Sequence, residues 1–216
     1  PVQVLWVNVQ GLFVLGPILL GLYLVASALR RDAFDKKRLG WWKTLVRATA
    51  LVAAACLVNP YGLMGALYPI QLLGTMGNPV FSKTIGELQS IPDFVAKSGL
   101  SSLPLRLHLL TILVGALSFL LPIVWRVWTV ARDSVSAEPD ASAKGKKKPS
   151  KGKGKYKNAT SSNSSPDLFR VFLFFAFTLL SLKATRNSHQ FAAVVGAVTA
   201  WNYAEWAAAI TARRAA

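Results

Sequence analysis

Lys183, Arg186 and His189 recur at every third position of SLKATRNSHQF, residues 181–191, a stretch lying between two strongly apolar runs. Ionisable side chains at the edge of a membrane or inside a spanning segment are costly, and they usually face a wet cavity, a ligand or a partner. Other polar residues stand where apolar runs begin or end: Asn8 and Gln10, Asn59 and Tyr61, Arg106 and His108, and Asn187 and Gln190. If one fold gathers them, they form a polar cavity. With so few acids nearby, that cavity is net positive and suited to phosphate or another anion.

The elements that must position these groups are hydrophobic. Of the 216 residues 53% are hydrophobic, yet the formal net charge is +16, so apolar and basic residues are segregated along the chain. A soluble nucleic-acid binder would instead spread Lys and Arg over amphipathic elements with aromatics between them, and no nucleic-acid partner is expected. Cys56 is the single cysteine and lies in an apolar run. It forms no internal disulfide, and no Cys/His cluster has zinc-ligand spacing, so no metal site is read here.

Five apolar runs, 3–29, 45–58, 105–131, 168–182 and 191–210, are read as membrane spans. The fold expected is all-α, a polytopic transmembrane helix bundle with the lipid bilayer as its first partner. Three regions follow: residues 1–132 with spans one to three and an extracytoplasmic loop at 77–104, a basic linker at 133–166, and residues 167–216 with spans four and five. The segment LMGALYPIQLLG (63–74) is too short to cross and is interrupted by Pro69, so it is expected to lie in the interface or to re-enter. Lys144 to Lys157 holds eight lysines and no acid, which predicts a disordered cytoplasmic tether or a contact with anionic lipid head groups.

With the amino end outside, and residues 133–166 and the carboxyl end cytoplasmic, the charges follow the positive-inside rule. All of the 25 basic residues but Lys83, Lys97, Arg106, Lys183 and Arg186 then fall on or near the cytoplasmic face. Only Glu87 and Asp93 of the nine acids lie outside. The location read from this pattern is the inner (plasma) membrane, multi-pass. Because the chain starts at Pro1 with no signal-like leader, it is read as part of a longer protein.

WVNVQGLFVLG, LVNPYG followed by LYPIQ, IGELQSIPD and KATRNSHQFAAVVGAVTAWNYAEW resemble the later half of bacterial, planctomycete-type, multi-spanning GT-C glycosyltransferase-like proteins. The comparable stretches there read W-x-N-x-H-G-x-F, N-P-x-G, E-W-x-S-P and R-N-x-x-x-F. This chain departs from them at Gln10, where histidine is usual, and at Leu88, where tryptophan is usual. The resemblance implies a transferase that takes a hexose or pentose from a polyprenyl-phosphate donor at the extracytoplasmic face. It assigns the donor phosphate to Arg186, with Lys183 and Arg106 beside it, and an acceptor hydroxyl or its proton to Glu87. Asn8, Gln10, Asn59 and Tyr61 would orient the substrates. The family's main acidic residue, a general base or a divalent-metal ligand, belongs upstream of Pro1.

Blander readings stand beside these. Lys183 and Arg186 could snorkel to the interface, the asparagines could be helix-to-helix glue, and His108 could be a satisfied helix-end histidine. A non-catalytic membrane scaffold or an anionic-lipid transporter are the alternative functions, although the two related halves with broken helices that transporters show are not evident in the sequence.

Overall fold

The computed structural model describes residues 1–9, 11–29, 36–75, 85–136 and 167–215, without the side chains of 36–38, 73, 75, 135 and 136. The predictions for Gln10, Lys83 and the lysine run 144–157 lie outside these residues. Among the described residues every regular element is helical, with eight α-helices, three 3-10 turns and no strand. The helices are α1 (Val2–Val9), α2 (Leu15–Ala28), α3 (Lys36–Ala55), α4 (Gly62–Thr75), α5 (Ile91–Ser98), α6 (Leu103–Ser136), α7 (Leu168–Lys183) and α8 (Ser188–Ala215).

Two stretches are long and apolar enough to cross a membrane, Gly11–Ala28 and Leu103–Ser134. The first corrects the expectation of one span over 3–29. The side-chain amide of Gln3 donates to the carbonyl of Phe13 at 3.0 Å. In a continuous helix ten residues would separate the two by about 15 Å, so α1 folds back against the 3-10 turn Gly11–Val14 that precedes α2. The second runs past the expected end at Ala131 to Ser136, and Pro122 lies inside it.

Pro69 likewise sits within α4 without ending it. A proline deletes one backbone bond and crowds the carbonyl four residues back, here that of Gly65, while the rest of the helix holds. Between α3 and α4 the chain turns at Asn59, whose side-chain amide donates to the carbonyls of Cys56 and Gly62, both at 2.9 Å. Its oxygen accepts from the Tyr61 N–H at 2.9 Å. Gly62, at φ +53°, takes the left-handed conformation that glycine adopts without a Cβ penalty.

Packing runs laterally in the order α3, α2, α7, α8, α6. At its centre Leu173, Phe174 and Phe177 of α7 meet Phe191, Val195 and Val198 of α8. Leu15, Leu19 and Leu22 of α2 close one side of this core, and Ile112, Ala116 and Phe119 of α6 the other. Gly115 permits the approach of α6, since a Cβ there would lie 2.7 Å from the Phe174 ring and 3.1 Å from Val195. Small residues at such crossings let backbones come close, which is how helices associate where apolar surface alone gives little drive.

Candidate functional site

The turn between α7 and α8 is built by its own polar residues. Asp167 caps the start of α7, accepting from the Phe169 N–H at 3.1 Å, and the helix runs to Lys183, where Ala184 turns to extended backbone. Residues Thr185–Asn187 form one 3-10 turn before α8 begins at Ser188. The buried side chain of Asn187 donates to the Leu180 carbonyl at 3.0 Å, satisfying an otherwise orphaned acceptor at the end of α7.

This turn is pinned to a distant part of the chain. Thr185 donates its hydroxyl toward the carbonyls of Gly86 and Glu87, at 3.2 and 3.1 Å, and its N–H to the Gln89 carbonyl at 3.0 Å. The 3-10 turn Gly86–Leu88 and the turn Thr185–Asn187 therefore abut. Two of the sequence motifs, IGELQS and KATRN, are brought together through Thr185, a residue that sequence reasoning did not single out. Just beyond, Ser90 caps α5, accepting from the Asp93 N–H and donating to the Asp93 carboxylate at 2.6 Å.

On this platform Glu87, Lys183, Arg186 and His189 are all exposed. Among the described residues none of the four side chains has a hydrogen-bond or ion-pair partner, and Glu87 and Arg186 do not pair with each other. Arg106 is also exposed, and its Nε donates to the Leu100 carbonyl, which fixes the guanidinium while leaving its two terminal nitrogens unengaged. His108 is buried beneath. Its Nε2 lies 3.2 Å from the hydroxyl of Ser181, and its ring packs at a tilt of 41° against Phe191 with centres 4.4 Å apart, so it joins α6, α7 and α8 at one point.

Asn8, Asn59 and Tyr61 form a separate group. Asn8 donates to the carbonyls of Val4 and Val58, at 2.7 and 2.9 Å, tying α1 to the end of α3, while Asn59 satisfies its own turn. Tyr61 is exposed. Among the described residues no hydrogen bond joins these three to Arg106, His108 or the Thr185 turn. The polar residues thus divide into a group at the α1–α3–α4 junction and a cationic platform at the α7–α8 turn.

A third polar cluster, unforeseen in the sequence, lies at the other end of α7. Arg170, with its side chain 14% exposed, bonds to Asn202 at 2.8 Å and to Glu205 at 2.8 Å, and stacks on Trp201 at 5.2 Å. Asn202 passes the connection on to the buried hydroxyl of Ser118 in α6, at 3.0 Å. The nearest signal in the sequence is Glu205, an acid inside the last apolar run, and it pairs with Arg170.

What the platform offers is exposed positive charge with free donors, suited to oxyanions, on a turn docked against the backbone that bears Glu87. No group of His, Cys, Asp and Glu among the described residues is placed to hold a metal ion. The protein is a helical bundle with two helices of membrane-crossing length and a cationic turn docked on a loop. Comparison with protein-family models, with curated proteins and with solved structures gives no match.

Proposed function

We propose that this chain is a polytopic membrane protein of GT-C glycosyltransferase type, acting on a polyprenyl-phosphate sugar donor at the extracytoplasmic face of a bacterial inner membrane. The observation that carries the reading is the pinning of the KATRN turn onto the GELQ turn by Thr185, which holds Arg186 and Lys183 close to the backbone bearing Glu87. A donor phosphate at the membrane surface needs cations at that depth, and Arg186 supplies a planar guanidinium with every donor available. Glu87 accepts from an acceptor hydroxyl, or takes its proton if no stronger base lies elsewhere in the protein. The lipid bilayer covers the apolar faces of the bundle, and the lysines of 144–157 meet anionic head groups on the cytoplasmic side.

The test is transfer of labelled sugar from polyprenyl-phosphate donors in membranes of expressing cells, wild type against Arg186→Ala. The expected result is a loss of at least tenfold in Arg186→Ala at unchanged protein level. Equal transfer by both would remove Arg186 from the site. No transfer by either across a broad donor panel would favour the scaffold or the anionic-lipid transporter.

A further inference from the structure

α3 carries a charge where its neighbours carry none. Trp42, Leu45, Thr49, Val52 and Cys56, all buried or half-buried, follow one stripe of the helix, and α3 packs against α1 and α2. On the far side Thr44, Arg47, Ala48, Leu51 and Ala54 are exposed. Arg47 makes no hydrogen bond or ion pair among the described residues. Residues 1–29 and 36–75, which build α1 to α4, contain no Asp or Glu to offer one.

Two contacts fix how deep this charge lies. Near the start of α3 the Trp41 ring meets Tyr23 of α2 edge-on, with centres 5.9 Å apart. Just past its end Cys56 accepts from the Gln3 amide at 3.4 Å, and the same amide donates to the Phe13 carbonyl. α2 and α3 are therefore antiparallel, with Trp41 level with Tyr23 and Cys56 near the level of Phe13. Arg47 lies about 9 Å along α3 from Trp41 and about 14 Å from Cys56. That is level with the middle of Gly11–Ala28, a stretch of membrane-crossing length, whereas α3 itself is not among the stretches apolar enough to cross. Arginines snorkel to the head groups from helix ends; one in mid-span is costly and faces water or a partner.

We infer that the exposed stripe of α3 is a docking face for a transmembrane helix from outside this sequence, one that carries an Asp or Glu near its middle, with the carboxylate paired to Arg47. The inference rests on the membrane reading above and goes beyond the outer-face ligand to a protein partner within the bilayer. Charge complementarity selects that partner, because an open guanidinium takes a carboxylate bidentately. Thr44, Ala48 and Ala54 beside it are small enough to let a second helix come close. A second copy of this chain does not fit: its α3 brings the same cation, and Glu205, the one acid within the apolar runs, is engaged by Arg170.

The experiment embeds the purified protein in phosphatidylcholine vesicles and reads energy transfer to labelled alanine–leucine transmembrane peptides that carry Asp, Asn or Leu at the central position. The Asp peptide is expected to bind at least tenfold tighter than the Leu peptide, with the Asn peptide between them. Arg47→Leu should remove the preference, Arg47→Lys should keep part of it, and Ala48→Leu, which crowds the face, should weaken the Asp peptide several-fold. Equal binding of the Asp and Leu peptides, or an Asp preference that survives in Arg47→Leu, overturns the docking face. Loss of the preference when phosphatidylglycerol replaces part of the phosphatidylcholine also overturns it and assigns Arg47 to an anionic head group. Leu51→Cys in a Cys56→Ala background separates these failures from that of the membrane reading, since Leu51 is 71% exposed on the same stripe. Shielding of that thiol from a water-soluble maleimide keeps α3 in the bilayer whatever the peptides do, whereas rapid labelling would remove the bilayer and the docking face together. Sugar transfer is not read, so the transferase reading stands or falls separately.

Discussion

The two ends of α7 carry cations of opposite standing. Near its start Arg170 bonds to Asn202 and Glu205, has Asp167 at 3.9 Å from its Nε and lies over the face of Trp201. Just past its end, Lys183 and Arg186 are exposed and, among the described residues, without partners. The same residue type therefore does two different things within one helix length. A guanidinium engaged by partners inside the protein holds helices together; one whose donors are open is available to something else.

The largest expected effect of breaking this comparison comes from Arg170→Ala. Removing it leaves the Asn202 and Glu205 groups without their partner and strips the cover from Trp201. Loss of a fully buried pair costs about 3–5 kcal/mol, but Glu205 is 56% exposed, so about 2 kcal/mol is the reasonable expectation. The thermal midpoint of the purified protein should fall by several degrees, whereas Arg186→Ala should leave it unchanged. Equal shifts in the two variants would erase the distinction between the ends.

Much of the fold was legible because hydrophobic runs report helices directly. The starts of α6, α7 and α8 lie within about three residues of the apolar runs that announce them. What the runs hid was the break inside 3–29, since apolar residues fill both sides of the bend and it is the contacts of Gln3 with Phe13 and Gly16 that reveal α1 turning back. The candidate site was legible as a charge anomaly: Lys183, Arg186 and His189 stand out because the surrounding residues are apolar. The position of Glu87 next to that turn was not, because Thr185 reaches it across nearly a hundred residues, and hydroxyl-to-carbonyl bonds leave no periodic trace. Arg170 escaped notice for the converse reason. A single charge at the head of an apolar run looks like a helix end, and its partner Asn202, with Ser118 bonded in turn to Asn202, comes from a helix whose register only packing fixes.

A middle-sized effect sharpens the contrast from the open end. Thr185→Val keeps the volume and branching of the side chain but removes the hydroxyl that reaches Gly86 and Glu87. At about 1 kcal/mol per net hydrogen bond, shared here between two carbonyls, the loss should be about 1–2 kcal/mol and local. Limited proteolysis should cut the chain near residues 85–90 several times faster in Thr185→Val than in wild type, with Thr185→Ser close to wild type. A midpoint shift as large as that of Arg170→Ala would mean that the turn is part of the core framework and not a platform laid on it.

The smallest effect tests whether pairing by itself marks a structural cation. Arg213 donates from one terminal nitrogen to both oxygens of Asp133, at 2.7 and 2.6 Å, and lies 6.0 Å from the centre of the Trp125 ring. Unlike Arg170, both partners are widely exposed, with side chains 41% and 63% accessible. Water screens such a pair and the two long side chains lose freedom to form it, so its coupling should be below about 1 kcal/mol. A double-mutant cycle over Arg213→Ala and Asp133→Ala, read by thermal unfolding, measures that coupling directly. A value near zero would show that burial around Arg170, rather than the mere presence of an acid, makes a cation structural in this bundle. A coupling as large as the loss in Arg170→Ala would mean that pairing suffices, and the open donors of Arg186 would then be the stronger sign of a ligand.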